Sequence, residues 1–283
     1  MMITAIDSVI VQGFVVVYFR MRILIDAHCH LGQYANSNMS ADGDRLCALF
    51  RQGGITHATP FSIEACYGGV DLGNRYTLEE VEKHAMLSAM VVAHPHHVAS
   101  SARWIAEARS NAKIVGVKLH PALGNYDILS PDVFRLMDDA VGPSGLPVIS
   151  HTGNDSPNVP IGRFLELAAR FPDIRFIAAH LGIGVMGPPD TAVNACRNRP
   201  CSNVWFDMGT LRAFCTGAVE TLLEVAGADR ILFGTDAPLY LPAPFSRLLE
   251  TLSISEQDRE KVAYRNALAV IPALAGRAGV EVN

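Results

Sequence analysis

The chain has 283 residues, a formal net charge of -5 and a pI near 6.0, with 49% hydrophobic and 18% charged residues. That is enough apolar material for one sizeable core and too little charge for a disordered chain. The mildly acidic balance gives no basic patch for nucleic acid, and no run of about 18 apolar residues is present to cross a membrane.

Residues 1–20, MMITAIDSVIVQGFVVVYFR, stand apart from the rest. Val9 to Phe19 is apolar like a secretory core, but no basic stretch precedes it and no small-residue cleavage site follows. A second methionine, Met21, stands directly before the first strand-like run. Residues 1–20 therefore read as an upstream extension or a mis-assigned start, with a β-hairpin arm packed on the domain as the alternative.

From Met21 to Asn283 the chain reads as one domain. Eight apolar runs follow one another: RILIDAHCH, ITHATPFSI, LSAMVVAH, KIVGVKLH, LPVISH, IRFIAAH, NVWFD and RILFGTD. They recur roughly every 30 residues and are nearly continuous rather than alternating, as parallel strands covered on both faces should be. Between them, DGDRLCALFRQ, SARWIAEARS, PDVFRLMDDAV and IGRFLELAARF carry apolar residues at helical spacing. Asp42, Ser100 and Ser130 stand where helix N-caps would fall, and a final helix is expected over about Glu256 to Leu274. The expected fold is a single (β/α)8 barrel. A doubly wound open sheet is the competitor, but His28-Cys29-His30 replaces the Gly-rich loop that should follow its first strand. Polar residues also close five strands spread along the whole chain, and only a closed barrel gathers such ends around one site.

Those strand ends carry the chemistry. His28 and His30 are two apart on a strand, so their side chains share a face and can share an ion. VISHTG places His151 at the end of the fifth run, FIAAHLG places His180 at the end of the sixth, and ILFGTDAP places Asp236 at the end of the eighth. Unpaired, these groups would be costly to bury; a metal satisfies them together. By the same parity Asp26 is expected inside the barrel, one layer deeper, either orienting a ligand histidine or satisfied by groups of the barrel floor.

The motifs IDAHCHLG, GVKLHP, ISHTG, AAHLG and FGTDAP, in this order over Met21 to Leu274, resemble the amidohydrolase superfamily, specifically its amidohydrolase-2 branch of small barrel hydrolases and decarboxylases. The resemblance implies a divalent metal, usually zinc, on His28, His30, His151 and Asp236. It implies that Asp236 also moves the proton, and that His180 is an acid/base or substrate-polarising group or a second-metal ligand. The expected reaction is hydrolysis of a lactone, ester or amide by metal-bound hydroxide. The alternatives are non-oxidative decarboxylation of an aromatic or enoic acid, with Arg75 or Arg212 receiving the carboxylate, and a barrel used only for binding.

Lys118, which closes the fourth run, would bridge two metals if carboxylated; with the single ion expected, it faces an anionic substrate group instead. His120 lies beyond it as a loop residue or substrate contact. His57, and the cluster His94, His96 and His97, read as surface or pocket-rim residues, with His94 as a further candidate to reach the substrate. Arg75, Asn154, Arg212 and Tyr240 fall in expected strand-to-helix loops. The six scattered cysteines read as reduced thiols of a cytoplasmic protein. A small-molecule substrate is expected, with room for a homodimer and none for nucleic acid or membrane.

Overall fold

The computed structural model describes residues 5–11, 14–20, 23–35, 38–153, 156–184, 190–198 and 202–277. All eight apolar runs form strands: β1 (Ile25–Gln33), β2 (His57–Ser62), β3 (Ala89–Val92), β4 (Ile114–Leu119), β5 (Val148–Ser150), β6 (Phe176–Ala178), β7 (Val204–Asp207) and β8 (Ile231–Leu232). Strands β3 to β8 pair in parallel in chain order, and β1 pairs in parallel with β2. Two seams close the ring. Ala58 of β2 bridges Leu87 ahead of β3, and Cys29 of β1 bridges Ala237 beyond β8, where His30 N–H also donates to the Ala237 carbonyl at 2.7 Å. The barrel expected from the sequence is the architecture observed.

Alternation along the strands sorts the core into two layers. Met90, Val115, Ile149, Ile177 and Leu232 fill the lumen, while Val91, Val117, Val148, Phe176 and Phe233 face the helices outside. Ala267, Val270, Ile271 and Leu274, from the C-terminal helical segment, belong to the lumen cluster. That segment runs as helix over Glu256–Glu260 and Asn266–Val270 with a π turn, Lys261–Arg265, between them.

Helices α1 (Gly43–Gly53), α2 (Val70–Glu82) and α3 (Val98–Glu107) wrap the first strands. Asp42 caps α1 by accepting from Arg45 N–H at 2.8 Å, and Ser130 caps the helix Pro131–Leu136, each worth about 1 kcal/mol. Ser100 is not a cap. It lies inside α3, whose N-cap is His97, and its hydroxyl donates to Asp71 of α2 at 3.2 Å. Arg75 is likewise not in a loop; it is an exposed residue of α2.

The parity argument fails for Asp26. The β1–β2 register slips between Asp26 and Cys29, a bulge that adds one residue to β1. Asp26 therefore pairs with Ala58 of the outer layer, whereas His30 pairs with Phe61 of the lumen. Its carboxylate accepts from Thr235 Oγ at 2.5 Å and from the N–H groups of His28 and Thr235 at 3.0 and 3.2 Å. It fastens the backbone of β1 to the segment after β8, and among the described residues its side-chain hydrogen bonds include no imidazole.

At the N-terminus, Ala5–Val11 and Phe14–Arg20 pair antiparallel as a two-stranded sheet of their own. Among the described residues no helix is long and apolar enough to cross a membrane. Five of the cysteines are free thiols; Cys201 lies outside the described residues.

Candidate metal centre

Barrel closure brings His28, His30, Lys118, His120, His151, His180 and Asp236 to the C-terminal strand ends, all of them buried. His30 Nε2 and His28 Nε2 lie 2.5 and 3.5 Å from Asp236 Oδ1. His151 Nδ1 lies 3.0 Å from His180 Nε2, and the His151 ring stacks on His120 at 4.5 Å. Lys118 Nζ reaches His28 Nε2 at 3.4 Å.

Two of these residues are held in the left-handed backbone region that L side chains rarely adopt: His180 and Asp236 both have φ of 60°. Such a conformation costs on the order of 1 kcal/mol and persists only where the surroundings enforce it. For Asp236 the enforcement is its N–H donating to the His28 carbonyl at 2.8 Å, across the closing seam of the barrel. For His180 it is an N–H donating to Asp207 at 3.2 Å and an Nδ1 donating to the Gly209 carbonyl at 2.5 Å.

Burial dominates the electrostatics. It drives His28, His30, His120 and His151 well below the usual imidazole value, with the Lys118 charge adding to the effect in each. These rings are neutral and keep a lone pair to donate. Burial pushes Asp236 up to about 7, against the pull of His180 and Lys118, and pushes Lys118 down to about 8.

The donor set fits a divalent ion. One donor atom each from His28, His180 and Asp236 lie within 4.8 Å of one another, and all three residues are buried. Ligands at about 2.0–2.2 Å from a common ion need that proximity. His30 joins through its contact with Asp236, and its buried Nδ1 has no hydrogen-bond partner. Of the expected quartet, this compact group contains His28 and Asp236; His30 stands against Asp236 and His151 against His180, which is the third member.

Asp207, at the end of β7, is the residue that sequence reasoning passed over. Its Oδ2 lies 3.0 Å from His28 Nδ1, and it is fully buried. NVWFD closes an apolar run with a carboxylate as FGTD does, so a signal was present in the sequence.

Other candidates are placed elsewhere. His57, at the start of β2, bonds Ser88 Oγ at 3.0 Å, far down the strand from the centre. His94 is buried against Tyr126, its Nδ1 accepting from His96 N–H at 3.2 Å, while His96 and His97 are exposed; the three do not form a metal group. His120 accepts from Leu123 N–H and caps the turn Pro121–Gly124. Arg212 is half-buried in the turn Leu211–Phe214 after β7, and Tyr240 packs near Phe245 after β8. Asn154 lies outside the described residues.

Comparison with known proteins agrees with this architecture. The amidohydrolase-2 family model, described as an amidohydrolase, matches residues 25–272. No curated protein matches by sequence. Among solved structures, 2,6-dihydroxybenzoate decarboxylase from Rhizobium aligns with a TM-score of 0.72 at 16% identity, covering 89% of this chain and 99% of that one. A dihydroxybenzoic acid decarboxylase from Polaromonas, with bound manganese and 2-nitroresorcinol, aligns at 0.71 and 16%, covering 92% and 100%. A 5-carboxyvanillate decarboxylase from Novosphingobium aromaticivorans, with manganese and a nitrobenzoic acid, aligns at 0.71 and 14%, covering 89% and 97%. With a family match over most of its length, a closed barrel and a buried His-Asp cluster at the strand ends, the chain belongs to the amidohydrolase family, in its amidohydrolase-2 branch.

Proposed function

We propose that this protein is a divalent-metal-dependent enzyme that decarboxylates a small aromatic carboxylic acid without an oxidant. This reverses the order in which the sequence ranks the two reactions, placing carbon dioxide loss ahead of lactone, ester or amide hydrolysis. The observation that carries the reading is Lys118. Its ammonium is fully buried at the centre, and its contacts are His28 Nε2 and the Phe61 ring. Among the described residues no carboxylate forms an ion pair with it. Asp207 and Asp236 act on it only from a distance, and a buried cation without a direct partner is costly; an anionic substrate group is what would offset it. The three solved neighbours described above, named as decarboxylases of benzoic acids, support the same substrate class.

The centre would hold its ion on His28, His30, His180 and Asp236, with His151 alongside. Neutral imidazole and carboxylate donors suit zinc, and manganese, present in two of the neighbours, stands beside it as a candidate. When bound, the ion supplies positive charge that grips and polarises substrate oxygens. The protein's own groups do the rest. Lys118 meets the carboxylate, and the buried walls exclude water. The ring carbon that loses carbon dioxide must gain a proton. Asp236, whose carboxylate lies beside His28 and His30 at the strand ends, would give it.

The test is a side-by-side assay of metal-loaded protein on dihydroxybenzoates, 5-carboxyvanillate and a set of lactones, scoring carbon dioxide release and ring opening. Carbon dioxide release from an aromatic acid is the expected outcome. Lactone hydrolysis with no carbon dioxide from any aromatic acid would return the assignment to the hydrolase.

A further inference from the structure

We infer that Asp207 is the positioning residue of this centre, fixing two imidazoles, His28 directly and His180 through Gly209, in the tautomers that leave Nε2 bare. The inference goes beyond the decarboxylase reading and rests only on the centre holding a divalent ion.

Each oxygen of Asp207 has its own task. Oδ1 accepts two backbone N–H groups, from Gly209 at 2.9 Å and His180 at 3.2 Å, while Oδ2 lies 3.0 Å from His28 Nδ1. Two backbone N–H groups already donate to Oδ1, and an ionised carboxylate only accepts. With Oδ2 3.0 Å from its Nδ1, His28 carries its proton on that nitrogen. Its Nε2, 3.5 Å from Asp236 Oδ1, is left as a lone pair. The second imidazole is set one step removed. With its N–H tied to Asp207, Gly209 presents its carbonyl to His180 Nδ1 at 2.5 Å. A carbonyl also only accepts, so His180 is protonated on Nδ1 and bare on Nε2.

The surrounding chain is shaped for this contact. A Cβ on Gly209 would stand 3.0 Å from Asp207 Oδ1 and 3.4 Å from His28 Nδ1. A Cβ on Gly234 would stand 3.2 Å from the Cβ atoms of both Asp207 and His28. Two glycines, one after β7 and one after β8, let the carboxylate and the imidazole approach each other from strands 179 residues apart in sequence.

An amide cannot do the same work. Asparagine at 207 has one acceptor oxygen for three N–H donors. If that oxygen keeps the two backbone N–H groups, its NH2 faces His28 Nδ1, and the imidazole proton must move to Nε2, where it blocks the metal-facing atom.

The experiment compares chelator-stripped wild-type protein with Asp207→Asn. Manganese affinity is measured by the electron spin resonance of free ion. Histidine tautomers are read from 15N spectra of the metal-free protein, with His28 assigned through a His28→Gln variant. Wild-type His28 should be protonated on Nδ1. In Asp207→Asn it should be protonated on Nε2, with manganese affinity reduced roughly 10- to 100-fold. A merely structural role would lower the melting temperature and leave the tautomer unchanged. Unaltered affinity in a folded Asp207→Asn, or wild-type His28 protonated on Nε2, overturns the inference. The wild-type tautomer alone decides the matter if the variant does not fold. Neither readout uses turnover, so failure of the decarboxylase reading is scored separately.

Discussion

Lys118 Nζ lies 3.4 Å from His28 Nε2, with the Phe61 ring centroid 4.3 Å away. An ammonium therefore stands against the lone pair that would face a dication. Once an ion sits on His28 the two charges repel, so the lysine must give up its charge as a carbamate or be balanced by substrate. The first prediction takes the second course. The protein should hold about one ion per chain, and 13C-bicarbonate should give no carbamate signal. Lys118→Met should lower kcat/KM for an aromatic acid by about 100-fold at unchanged metal content, the scale of a buried charged contact. Two ions and a carbamate on Lys118 would overturn this.

A second prediction ranks the donors. Replacing His28 and His30 together by alanine should bring stoichiometric zinc or manganese to background, measured by elemental analysis. His180→Ala should weaken metal binding more than His151→Ala, because His180 belongs to the compact donor group with His28 and Asp236. The reverse order would restore the quartet expected from the sequence.

Asp236 is predicted to be needed for proton transfer. Asp236→Asn cannot hold the transferable proton and should lose 10²- to 10⁴-fold or more in kcat, the usual share of general acid–base catalysis. Single-turnover assays with the metal content matched to wild type separate this from ion loss. Near wild-type turnover in the variant would remove Asp236 from the mechanism.

The pH dependence of stability has a predicted sign. Burial pushes His57 down to about 4 from its ordinary 6.5, with Lys113 and Arg277 adding to the shift. Between those values the unfolded chain binds a proton that the folded chain refuses. The neutral ring's contribution is therefore complete above pH 6.5 and is lost as pH falls towards 4, by roughly 3 kcal/mol. Urea titrations of His57→Asn should show a shallower decline from pH 7 to 4.5 than wild type. Parallel declines would remove His57 as a cause.

The N-terminal hairpin, Ala5–Val11 with Phe14–Arg20, forms a sheet separate from the barrel. A chain beginning at Met21 should fold, melt within a few degrees of the full chain, and bind metal equally. A large drop in melting temperature or solubility would make the hairpin a structural part of the domain.

The barrel was legible because its cause is local. Strands buried on both faces need unbroken apolar runs, and eight of them at regular spacing leave few other architectures. His28, His30 and Asp236 were legible for the same reason, as polar residues that end such runs. What could not be read was anything set by closure of the ring. The β1 bulge turns Asp26 out of the lumen, a register shift that parity counting along one strand does not register. His180 comes beside His28 and Asp236 only across strands, with His180 and Asp236 both held in left-handed backbone by packed neighbours. The sequence marks Asp207 only as a carboxylate ending an apolar run; its contact with His28 exists because closure brings the β7 end beside the β1 end. A single strand dictates which face a side chain takes. Which groups then share a proton is decided by distances between strands far apart in sequence, and those exist only once the barrel is shut.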